Sequence, residues 1–395
     1  MWNPDPLQAA QRQLARDQAA AQRFPATLPQ KLARMTASPL GYLRGAAPLF
    51  YELLLEHPEL AAGPDGEGWL IGDAHLENFG AFRSAEGDGG GVDAVVFDVN
   101  DFDEAVIGPF RWDVIRLLTS VILGGRELGS NGKQSVGLCA AILEGYVPAL
   151  SEGRSQKEPP PPVRRLLEKV ERRTHKDLLD RRTERVGSTR RFVRGERYQD
   201  LPPELIRPAG AAFERYLERL DPNRQLAREH FLIEDVAFRV AGTGSLGVLR
   251  VAVLTQGKGD PDNCWIFDMK AEGTPAAQVL VSATEEPPAE RVLRATRACL
   301  SHPPRMAGTS ELDGQSMFVR RLLPQEDKLD LTRLVAEELP ELARFLGSLV
   351  GLVHRRGATR TPARWSESEL ARLTEQAIAI AGLHEAAYLA LCKAT

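Results

Sequence analysis

Two short segments constrain this chain more than any others: Gly72-Asp73-Ala74-His75-Leu76-Glu77-Asn78-Phe79-Gly80, and Asn100-Asp101-Phe102-Asp103-Glu104. Between them, Asn78-Phe79-Gly80-Ala81-Phe82 reads as a short strand, Glu86-Gly87-Asp88-Gly89-Gly90-Gly91 as a flexible turn, and Asp93 to Asn100 as the return strand. A loop and a hairpin therefore carry an Asp, an Asn five positions later, and a second Asp at the end of an apolar run. Asp and Asn favour turns, so any one of them alone reads as a local cap. Together they are the groups that phosphoryl transfer requires: a carboxylate to orient a hydroxyl nucleophile, and oxygen ligands to hold Mg²⁺ against phosphate charge.

The loop Ile71-Gly72-Asp73-Ala74-His75-Leu76-Glu77-Asn78 resembles the HGDxHxxN loop of the aminoglycoside-phosphotransferase branch of the protein-kinase-like superfamily, with Ile71 in place of its first His. The resemblance implies that Asp73 is the catalytic base, that Asn78 and a following Asp hold Mg²⁺, and that His75 is an orienting or structural residue. Asp101 is the choice for that second ligand, because Asp113 follows it by twelve positions in Gly108-Pro109-Phe110-Arg111-Trp112-Asp113. In the family, a buried Asp at about that distance ties the next helix to the catalytic loop. Asp98 is the competing ligand.

A second cluster begins at Arg239-Val240-Ala241-Gly242-Thr243-Gly244-Ser245-Leu246-Gly247. It lies between two alternating apolar runs, and a third run, Trp265 to Lys270, follows. This pattern predicts three consecutive antiparallel strands with glycines at the first turn. Glycines let backbone N–H groups approach phosphate oxygens. No helix pattern follows them, which argues against a Rossmann site. In the kinase small lobe a glycine-rich turn precedes a lysine on the third strand. The resemblance gives phosphate-binding roles to Gly242, Thr243, Gly244, Ser245, Gly247 and Lys270. A buried ammonium needs a partner. Glu290 on the next helix is the best candidate, with Glu272, Glu285 and Glu286 also open. The strand Gln315 to Leu323 would then lead to a hinge and the adenine.

Ordinary kinases place the glycine turn first and the catalytic loop later; here the order is reversed. After the hinge-like strand, Glu341 to Arg355 is apolar at Leu342, Phe345, Leu346, Leu349, Val350 and Val353, the spacing of an amphipathic helix. It resembles the helix that precedes the catalytic loop in phosphotransferases. The expected fold is α+β, protein-kinase-like, two-lobed and circularly permuted, an arrangement that leaves a packed core unchanged if the old termini can join. Residues 1–230 would form the N-terminal part of the helical catalytic lobe, 231–330 a small β lobe, and 331–395 helices packing back on the catalytic lobe. The chain also resembles, over roughly residues 30 to 355, a bacterial family catalogued only as a domain of unknown function. The match runs through Ser38-Pro39-Leu40-Gly41-Tyr42-Leu43-Arg44-Gly45-Ala46-Ala47, both acidic segments, the glycine turn and Lys270-Ala271-Glu272.

At 395 residues the chain can hold two lobes. A net charge of −4 gives no global attraction to nucleic acid. Cys139, Cys264, Cys299 and Cys392 are scattered, which fits a reduced cytoplasm and argues against structural zinc. No signal peptide is evident, and no run approaches the length of a membrane span. Residues 3–23 read as an exposed helix. Residues 161–200 carry 13 Lys/Arg against 7 Asp/Glu. That surplus reads as a solvated, salt-bridged helix, or else as a cationic wall including Arg190, Arg191, Arg194 and Arg197. Arg44 would reach a phosphate or anchor a helix. The expected activity is ATP- and Mg²⁺-dependent transfer to a small-molecule hydroxyl rather than to a protein. Its rivals are nucleotidyl (AMP) transfer, a silent ATP-binding regulator, and a metal-dependent hydrolase using Asp73, His75, Asp101 and Asp103.

Overall fold

The structure is a computed structural model that describes residues 5–83, 94–125, 127–156, 158–220, 226–244, 246–259, 261–304, 306–360 and 364–395. The turn expected at Glu86–Gly91 and Ser245 of the glycine turn lie outside these residues. The chain is mixed α+β with antiparallel sheets.

Alternating apolar residues build the main sheet. Its spatial order is Gly308–Leu312, Gln315–Leu322, Trp265–Ala271, Arg250–Thr255, Ile233–Arg239 and Tyr198–Gln199. In the strand Trp265–Ala271, successive side chains point to opposite faces. Trp265, Phe267 and Met269 enter a core completed by Phe213 and Tyr216 of the helix Pro203–Arg219. Ile266 joins a separate cluster on the other face with Leu178, Leu179, Phe192, Leu254 and Leu322. The helix His175–Asp180 and the hairpin Thr183–Phe192 supply that cover. Residues 175–219 thus supply cover to both faces of this sheet, ahead of the 231–330 stretch expected to form a lobe by itself.

The larger core joins the helices Arg111–Gly124, Gly132–Glu152, Leu339–Arg356 and Glu367–Ala394. Gly145 and Gly347 bring two of these helices into backbone contact, and neither position has room for a Cβ. The stretch expected as an exposed helix spans Pro6–Ala20 and buries Ala9, Ala10, Gln13 and Asp17. The view that nothing approaches a membrane span also needs correction. The helix Glu367–Ala394, at 28 residues, is long and apolar enough to cross one by length and composition. Charged residues interrupt its apolar stretches, and alanines carry the hydropathy between them. In this fold Leu373, Ala377, Ile380 and Ala381 are buried in the large core.

Candidate active site

One helix fixes the loop around Asp73. Along Arg111–Gly124, Asp113, Arg116 and Ser120 lie on one face. Asp113 accepts from Ile71 N at 2.6 Å and Gly72 N at 3.0 Å. Arg116 Nε donates to Asp73 Oδ1 at 2.8 Å, a second nitrogen reaches the same oxygen, and Nη2 also bonds Leu43 O. Leu76 N donates to Ser120 Oγ at 3.2 Å. Tyr51 adds a bond from its hydroxyl to Gly72 O at 2.6 Å. Gly72 has φ +81° and stands against Glu104 O, a place that excludes any Cβ.

Asn78 links the loop to the second acidic segment. Its Nδ2 donates to Asp73 O at 3.2 Å and Asp101 O at 3.1 Å, while its buried Oδ1 has no partner among the described residues. His75 is buried with Nε2 3.6 Å from Asp73 Oδ2. Burial and the nearby Arg44, Lys328 and Arg116 hold it neutral, far below the usual imidazole range. Asp98 is buried, with Oδ1 accepting from Val99 N, and does not line the cleft that Asp101 lines.

That cleft, of about 340 Å³, gathers Asp73, His75, Asn78 and Asp101 with Gly242, Thr243, Gly244, Lys270, Arg44 and Lys328. Gly247 belongs to the turn but does not line it; it has φ +96° and packs on Ala20. Arg44 pairs with Glu77.

Glu290 does not pair with Lys270. It accepts from Thr309 Oγ1 at 2.5 Å, toward the strand Gly308–Leu312. Lys270 instead meets Asp103, with Glu272 at 3.9 Å. The adjacent Arg291 is the residue of the helix Pro288–Cys299 that reaches the acidic segment, bonding Ala105 O, Asp103 O at 2.8 Å and Gly273 O at 3.0 Å. The cationic wall is also absent from the cleft. Arg190 pairs with Asp180 and Asp262, Arg191 with Glu184, and Arg194 with Asp200 and Asp235, and neither these nor Arg197 lines it. Arg191–Glu184 lies within the hairpin, whereas Arg194–Asp235 ties the chain just after it to the strand Ile233–Arg239.

Sequence reasoning passed over Arg116, Tyr51 and Arg291. The readable signal for Arg116 was a polar stripe at helical spacing, Asp113, Arg116 and Ser120, in a helix whose other residues are apolar apart from Arg111 and Thr119.

Two carboxyls of the cleft hold protons late. Burial pushes Glu104 up to about 7, against a bond from Ala276 N. Burial likewise pushes Glu272 up to about 7, against Lys270 and with Asp101 adding to the rise. Between an ordinary value of 4.5 and 7 the folded state then binds more protons than the unfolded one, so stability falls as pH rises through that window. In urea titrations at pH 5 and pH 7.5, the Glu272→Gln variant is expected to lose less stability than the wild type. Equal losses would show that Glu272 is already ionised at pH 5.

The chain belongs to a bacterial family described as uncharacterized protein conserved in bacteria (DUF2252), whose model matches residues 23–394. No curated protein and no solved structure matches it.

Proposed function

We propose that the protein is a kinase-like phosphotransferase, circularly permuted, that uses ATP and Mg²⁺ to phosphorylate a hydroxyl of a small molecule. One observation carries this reading. Asp73, Asn78 and Asp101 share a single cleft with Gly242, Gly244 and Lys270, which come from a segment far along the chain. The lysine strand Trp265–Ala271, the helix Pro288–Cys299 and the strands Gly308–Leu312 and Gln315–Leu322 follow one another along the chain, the order expected of a kinase small lobe.

Asp73 would orient the attacking hydroxyl, with Arg116 fixing its Oδ1. Asn78 and Asp101 would hold Mg²⁺, and the orphaned Asn78 Oδ1 fits a cation there. Among the described residues no group of three His, Cys, Asp or Glu is arranged for a metal, so such a site would lean on phosphate oxygens, as Mg²⁺ sites commonly do. Lys270 would turn from Asp103 to the phosphates.

Calorimetry with ATP, with and without Mg²⁺, tests this directly. Binding is expected to require Mg²⁺ and to weaken about tenfold or more, or about 1.4 kcal/mol, in both Lys270→Ala and Asp101→Asn. Absence of binding to folded wild type would sink the reading.

Nucleotidyl transfer is the second reading, favoured by the filled far end of the sheet. There Arg173 already bonds Pro324 O and Glu326 O, and Leu178 and Leu179 pack under Ile266. A base excluded from that side would enter reversed. Release of pyrophosphate instead of ADP would select this reading.

A further inference from the structure

The N-terminal helices close the cleft over the glycine turn. Lys31, on the helix Thr27–Thr36, donates to Gly244 O at 3.3 Å, and Arg34 donates to Gly242 O. Lys31 also pairs with Asp17 Oδ1 at 2.7 Å, and Gln13 Nε2 donates to that same oxygen at 2.9 Å. The donors around Asp17 thus converge on one oxygen. Among the described residues Asp17 Oδ2 and Gln13 Oε1 have no donor, although each residue is 2% exposed and lines the cleft together with Asp73 and Lys270.

A buried acceptor left without a donor keeps its full desolvation cost. Two of them stand one turn apart on one helix, in residues that line the same cleft. They call for hydrogen-bond donors from a ligand. Lys31 already offsets the charge of Asp17, so neutral hydroxyls suit the place better than a cation. The opposite end of the sheet's cleft face is covered by Leu178 and Leu179 and by the ion pairs of Asp268 with Arg239 and Arg250. Polar recognition of a ring therefore falls to the end closed by the N-terminal helix.

We infer that Gln13 and Asp17 form a hydroxyl-recognising subsite for a vicinal diol, carried by the ribose of the nucleotide or by a sugar-like acceptor. The assignment of these two sources rests on the phosphotransferase reading; the diol chemistry does not.

Wild type, Asp17→Asn and Gln13→Met are titrated with Mg-ATP and Mg-2′-deoxyATP, and separately with D-ribose, D-glucose and myo-inositol. Asn at 17 keeps an oxygen for Lys31 and Gln13, and thermal melts verify that both variants fold. If the diol is ribose, both variants bind Mg-ATP about tenfold more weakly, and 2′-deoxyATP binds wild type and variants alike at that weaker level. If it belongs to the acceptor, Mg-ATP binds all three proteins equally while a polyol binds only wild type. Equal ATP binding with no polyol that separates wild type from the variants overturns the subsite and spares the nucleotide reading. A polyol that needs Gln13 and Asp17, in a protein that binds no ATP, overturns the nucleotide reading and keeps the subsite. No binding of either kind overturns both.

Discussion

Asp73→Asn is expected to abolish phosphoryl transfer while leaving Mg-ATP affinity within about twofold of wild type. A positioned base contributes on the order of 10²–10⁴ in rate, and a carboxamide cannot take the hydroxyl proton. The nucleotide contacts proposed here come from Lys270, the glycine turn, Asn78 and Asp101, none of which this change removes. Arg116 complicates the experiment. Its side chain is fully buried, and Asp73 is its ion-pair partner. Breaking a buried pair costs about 3–5 kcal/mol when one charge is left uncompensated. Asn retains an oxygen that can accept from Arg116, so part of this cost is spared. The readout is single-turnover transfer at a temperature where urea titration shows the variant folded, with Asp101→Asn in parallel. Asp101→Asn is expected to fail at binding, Asp73→Asn after it. Turnover in Asp73→Asn within tenfold of wild type would remove Asp73 from the role of base.

Local spacing carried most of what could be read in the sequence. Asp73, Asn78 and Asp101 lie on one loop and hairpin, so their proximity follows from short-range geometry, and a period-two pattern located the strands around Gly242 and Lys270. Partners that depend on the rotation of a helix were harder to read. Glu290 and Arg291 differ by one position, about a quarter turn of helix, and that rotation sends Arg291 to the acidic segment and Glu290 to Thr309. The basic run of 161–200 was legible as charge but not as destination. Its arginines meet carboxylates such as Asp235 and Asp262, supplied by chain well downstream, which composition alone does not locate. The role of residues 6–36 was hidden for the same reason: Gln13, Asp17 and Lys31 acquire meaning only against Gly244, on the far side of the sequence.

Asp113→Ala is expected to cost about 3–5 kcal/mol, a large part of the 5–15 kcal/mol that holds a typical domain together. The Asp113 carboxylate is completely buried and has three partners. It accepts from Ile71 N and Gly72 N, and its Oδ2 lies 3.0 Å from His354 Nε2. His354 comes from the helix Leu339–Arg356, bonds the Tyr146 hydroxyl at 2.8 Å and stacks on Phe110 at 4.5 Å. One side chain therefore joins the loop before Asp73, the helix that carries Arg116, and a helix from the end of the chain. Alanine would strand two backbone N–H groups and a histidine away from water, each of which retains its full desolvation cost. Asp113→Asn is expected to fall between alanine and wild type, because it keeps one acceptor but turns an NH₂ toward a donor. Urea unfolding of the three proteins gives the ordering. A loss below about 1 kcal/mol in Asp113→Ala would mean that the loop is held by Arg116, Tyr51 and Ser120 without it, and that the join through His354 contributes little.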